Sequence, residues 1–106
     1  MVESVSGVTR SLSRDEKIAL LRRNVDFLFE AIVEMRQRIA SLIDDNAEMD
    51  FLAAIDDRYR TSDAREQSYL DNARVIRRLE DEIAQSRRSL LLYKEVLREQ
   101  FGVDLP

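Results

Sequence analysis

Residues 18–49 read IALLRRNVDFLFEAIVEMRQRIASLIDDNAEM, and the spacing of their apolar side chains decides the fold. Ile18, Val25, Ile32 and Ile39 recur at intervals of seven, and Leu21, Leu28, Met35 and Leu42 follow each by three. This is a heptad repeat with β-branched residues at a and Leu or Met at d, a combination that favours two parallel strands in isolated coiled coils. The next a position is Asn46, the kind of polar residue that sets register and oligomeric state at a cost in stability. Met49 and Ala53 continue the phase. Leu20, Phe27, Phe29, Val33 and Ile43 lie off the seam, so the apolar stripe is too wide for a two-stranded coil. It suits a bundle of three or four helices.

Upstream, Ser13-Arg14-Asp15-Glu16 fits a capping box, in which the serine hydroxyl and the glutamate each satisfy one free amide of a helix start. Residues 1–12, with Val2, Val5 and Val8, read as a flexible arm. Downstream, Tyr69, Ile76, Ile83, Leu90 and Leu97 form a second heptad row, with Leu79 and Tyr93 at d. Val75, Val96, Leu91 and Leu92 widen it. Phe101-Gly102-Val103 closes that helix with glycine in the left-handed position, followed by a short tail, 102–106. The glycines are Gly7 and Gly102 and the proline is Pro106, so nothing between Val8 and Phe101 breaks a helix.

The stripe leaves the phase of the first repeat at Asp56. A turn near 59–63, with Asp63 as cap and Glu66 three residues on, predicts arms over 14–59 and 63–101. Such arms are roughly 60–70 Å long. The alternative turn, at Asp44-Asp45-Asn46, would give three helices. The expected fold is therefore all-α, a single long antiparallel helical hairpin over 13–101. A lone hairpin barely offsets the conformational entropy lost on ordering it. Self-association is expected to complete it, with a four-helix bundle from two hairpins the simplest form.

Composition narrows the chemistry. The 106 residues contain no Cys, His or Trp, so there is no thiolate, imidazole or structural zinc site, and no disulfide. A net charge of −4 argues against a dedicated nucleic-acid binder. No apolar run approaches the roughly 20 residues of a membrane span. Met1-Val2-Glu3-Ser4-Val5 lacks the basic start and apolar run of a secretory leader, so a cytoplasmic protein is expected. Arginine outnumbers lysine, with Lys17 and Lys94 the only lysines. That bias suggests a GC-rich bacterial genome or its phage, in which case the chain could be a virion component.

Two charge features invite site hypotheses. Asp44, Asp45, Glu48, Asp50, Asp56 and Asp57 are acids with no base until Arg58, and Asp44-x-Asn46-x-Glu48 imitates the start of a calcium loop. Met49 stands where that loop needs Gly and Ile55 where it needs Glu, so a solvated helix face is the expectation, and an acidic docking surface a further reading. Arg22-Arg23, Arg77-Arg78, Arg87-Arg88 and Arg74 offer an alternative nucleic-acid reading. Asp71, Glu80, Asp81, Glu82, Glu95 and Glu99 interleave with them, which is the pattern of a coiled-coil exterior.

An enzymatic alternative rests on a resemblance. Leu21-Arg22-x-x-Val25-Asp26-x-Leu28 resembles the start of the first helix of the helical chorismate mutases, and Asp63-Ala64-Arg65-Glu66 resembles part of their central segment. The resemblance implies a small all-helical enzyme that stabilises a dianionic transition state with several cations. One of those is a lysine between the two segments, and here no Lys stands between Lys17 and Lys94. The spacing of the C-terminal helix from Glu66 also departs from the family's pattern.

The resulting expectation is a non-enzymatic protein acting through helix packing, such as an adaptor, chaperone, assembly factor or small structural component. It has no cofactor, metal or small-molecule substrate, and its partners are itself, as a dimer, and another protein. The expected interface is Ile18, Leu21, Val25, Leu28, Ile32, Met35, Ile39, Leu42 and Asn46 against Tyr69, Ile76, Leu79, Ile83, Leu90, Tyr93 and Leu97. Phe27, Phe29, Leu91 and Leu92 are a candidate patch for a further partner. Asn46→Leu is expected to stabilise the bundle while blurring its oligomeric state. Ile32→Asp or Ile83→Asp should abolish assembly by burying an unpaired charge. Circular dichroism with light scattering checks this; a folded oligomer in either variant would remove that residue from the seam.

Overall fold

The computed structural model describes residues 11–106, and the expected N-terminal arm lies outside them except for Ser11 and Leu12, which precede the first helix. Among the described residues the elements are α1 (Arg14–Ile55), α2 (Asp57–Arg60) and α3 (Asp63–Phe101). The long helices α1 and α3 pack side by side and antiparallel, so the fold is an all-α hairpin. It extends 70 Å along its axis and is only 14 Å thin, the depth of one helix layer.

The first helix starts as its sequence dictates. Ser13 Oγ accepts from the Glu16 amide at 3.1 Å, and the Ser13 amide donates to Glu16 Oε1 at 2.9 Å, completing the capping box. The helix then runs through Asp44-Asp45-Asn46 without a break, which removes the three-helix alternative at that position.

The reversal differs in detail from the expected turn. Helix α1 ends at Ile55, not at Tyr59, because Asp56 drops to an extended conformation (φ −137°, ψ 110°). There its carboxylate accepts from the Arg58 amide at 3.0 Å, a local bond that competes with continuing the helix. Asp56 thus ends α1 and caps the single turn of α2, within which Asp57 pairs with Arg60. The cap of α3 is Ser62 rather than Asp63: the Ser62 hydroxyl accepts from the Arg65 amide. Asp63 becomes the first helical residue, where its charge complements the positive end of the helix dipole.

At the other end, Gly102 adopts the left-handed conformation (φ +68°) and its amide donates to the Arg98 carbonyl at 3.1 Å. The Val103 amide donates to the Leu97 carbonyl at 3.0 Å, turning the tail back over Leu97, which is fully buried. Lys94 Nζ donates to the Pro106 carbonyl at 2.6 Å and holds that tail along α3. A methyl group added at Gly102 would meet no atom within 4 Å, so Gly102→Ala carries only the backbone penalty of a left-handed L-residue. Destabilisation of about 1–2 kcal/mol is expected from that penalty. Thermal melting followed by circular dichroism checks this, and an unchanged midpoint would mean the cap contributes nothing.

Candidate interaction surfaces

The seam residues named from sequence all face inward between the two long helices. Val25, Ile32, Leu42, Leu79, Ile83 and Leu97 are buried. Ile18, Leu21, Leu28, Met35, Ile39, Asn46, Tyr69, Ile76, Leu90 and Tyr93 are half-buried. Ala53, the last a position of α1, is buried as well. These side chains therefore make the contact within one chain, and what they leave uncovered is available to a partner.

One layer of the seam is polar. Asn72 Nδ2 donates to Asn46 Oδ1 at 2.9 Å across the two helices. Asn72 was missed as a partner, although it stands at the d position after Tyr69, where an apolar residue belongs. The pairing changes what Asn46→Leu should do. The lone replacement leaves the Asn72 amide without its partner in a half-buried layer, which offsets the gain expected from removing a polar a residue.

Next to this layer, towards the turn, lies a cluster of Asp50, Arg65 and Tyr69. The Tyr69 hydroxyl donates to Asp50, and Arg65 Nη2 donates to that hydroxyl at 3.1 Å while lying 3.5 Å from the Asp50 carboxylate. The Arg65 guanidinium also stacks over the Tyr69 ring at 4.8 Å and donates to the Arg60 carbonyl at 3.3 Å. The bond to Asp50 raises the Tyr69 hydroxyl above its ordinary pKa, desolvation adds to this, and Arg65 opposes it. The cluster ties the turn to both long helices. At the open end Arg14 plays the matching part, with Nη2 donating to the Phe101 carbonyl at 2.7 Å and the guanidinium over the Phe101 ring.

The outward charges are mixed. Arg22, Arg23, Arg74, Arg77, Arg78, Arg87 and Arg88 are exposed, and Arg74 and Arg78 lie within ion-pair distance of Asp71 and Glu82 on the same helix. In the acidic stretch Asp50, Asp56 and Asp57 hold the turn together, while Asp44, Asp45 and Glu48 stay exposed along α1. Among the described residues no group of acids is arranged to hold a metal ion.

The proposed partner patch divides among separate surfaces. Phe27, 71 % exposed, rims a groove on one broad face of the hairpin with Asn24, Ser89 and Tyr93. That groove continues for about 400 Å³ between Ala31 and Met35 of α1 and Glu82, Ser86 and Ser89 of α3, where small side chains leave it unfilled. Phe29, two residues on and so about 200° round the helix, belongs to the opposite face with Val33. Leu91, which its heptad position puts on the same side of the hairpin as Phe29, and Leu92 line a hollow of about 540 Å³ with Arg88, Arg98 and Leu105 of the tail. No family model, curated protein or solved structure matches the chain. No helix among the described residues is long and apolar enough to cross a membrane.

Asn46→Leu and Asn72→Leu should each melt below the double variant, because each single change strands one amide. Denaturant unfolding of the four proteins should give a coupling of roughly 1 kcal/mol. Strictly additive single changes would mean the two amides do not interact.

Proposed function

We propose that this chain is a non-enzymatic assembly or adaptor protein of a bacterial or phage complex, which works in the cytoplasm by packing its helix faces against a second copy and a further protein. One observation carries the reading. The hairpin is a single helix layer that leaves large apolar side chains exposed on both faces, among them Phe27, Phe29, Phe51, Ile43, Ile55 and Leu91. Its accessible surface of 7963 Å² compares with the roughly 6,100 Å² that a compact monomer of this mass exposes. Surface of that kind marks interaction sites in native proteins.

The charge pattern supports packing over phosphate binding, since the exposed arginines are interleaved with carboxylates. Size-exclusion chromatography with light scattering, across a wide dilution series, tests the reading. A discrete dimer or higher oligomer that persists on dilution is the expected result. A monomer at every concentration would overturn the self-association half of the proposal.

A further inference from the structure

The heptad register places a second stripe about a quarter turn from the seam, at the e and b positions of both long helices. On α1 it carries Phe29, Val33 and Ile43, with Ala40, Ala47 and Ala54 between and beyond them. On α3 it carries Leu70 and Leu91 with Ala73 and Ala84, and Arg77, Glu80, Arg87, Lys94 and Arg98 stand among them. Both halves lie on one broad face, because the groove at Ala31 and Ser89 shows the g positions sharing the other. Phe29, Ile43, Leu70 and Leu91 are 61, 54, 48 and 64 % exposed, and the alanines leave room for a close helix approach.

This face has an internal symmetry. The e row of α1 reads Arg22, Phe29, Arg36, Ile43, Asp50, with Arg36 at its centre. Leu70 and Leu91 of α3 are likewise centred on Glu80 and Asp81. The crossing pairs Asn46–Asn72 and Arg14–Phe101 bring these two centres to the same level of the hairpin. Rotation by half a turn about an axis across both helices at that level lays Phe29 on Ile43 and Leu70 on Leu91. It also lays Arg22 opposite Asp50, while Glu80, at the e position beside Arg36, offsets the meeting of two Arg36 side chains. A patch that complements itself under a two-fold rotation closes a dimer and leaves no open end.

We infer that a second copy of this chain occupies this face, antiparallel, with α1 on α1 and α3 on α3. The product is a four-helix bundle whose second seam is the e and b stripe. The helices overlap over nearly their full length of about 60 Å. A face that long and two helices wide reaches the roughly 800 Å² per partner of a stable interface. The inference rests on the self-association proposed above, and its own content is the face and the direction.

The chain contains no cysteine, so single cysteines report the geometry cleanly. Arg36→Cys, at the axis, should be joined to its counterpart in high yield by a short bismaleimide. Ala54→Cys lies on the same stripe, and its two copies would stand on the order of 50 Å apart, so it should not be joined. The double variant Phe29→Glu/Leu91→Glu should halve the mass in light scattering and keep its helical circular dichroism, while Phe27→Glu, on the other face, should stay dimeric. Joining at Ala54, with or without joining at Arg36, would overturn the direction. A folded dimer of the double variant, or loss of the dimer in Phe27→Glu alone, would overturn the face and leave self-association standing. A monomeric wild-type chain would overturn both.

Discussion

Two helices lying side by side can bury only one stripe each, and every other feature of this hairpin answers to that constraint. The shared seam is narrow, so the wholly inward positions are few and the remainder of a wide apolar stripe stays wet. Val25, Ile32, Leu79, Ile83 and Leu97 are sealed, yet Phe27 and Phe29 on the same helix as Ile32 are mostly exposed. A globular domain resolves this by adding layers. Here the described residues form one layer, and its long flat faces leave large apolar side chains exposed.

Within that layer, polar contacts do what a larger core would otherwise do. The Asn46–Asn72 pair has one good alignment, so sliding one helix along the other by a turn would strand both amides. Arg14 over Phe101 and Arg65 among Asp50 and Tyr69 brace the two ends. Each brace sets a guanidinium on an aromatic ring while it hydrogen-bonds a carbonyl or a carboxylate, a combination that suits the flat, multiply donating arginine side chain. Arginine supplies both braces, at Arg14 and Arg65.

The heptad rows, the capping box at Ser13 and Glu16, and the glycine stop at Gly102 were legible because each is a local pattern with one dominant physical cause. The turn was only half legible. Loss of phase at Asp56 did mark where α1 ends, but Asp63 and Ser62 are both good caps, and backbone geometry alone decides between them. The Asn72 partner was hidden because a polar residue at d looks like a lapse in the repeat until the opposite strand of the seam is known. The division of Phe27 from Phe29 follows from helical angle, which a list of off-seam residues discards.

The placement of the polar layer also has an entropic side. Asn46 and Asn72 are 26 positions apart along the chain, whereas Arg14 and Phe101 are 87 apart. Closing the shorter loop costs less chain entropy, by a margin that grows as the logarithm of loop length. The same two side chains that hold the register of the hairpin thus also form one of its entropically cheaper crossings.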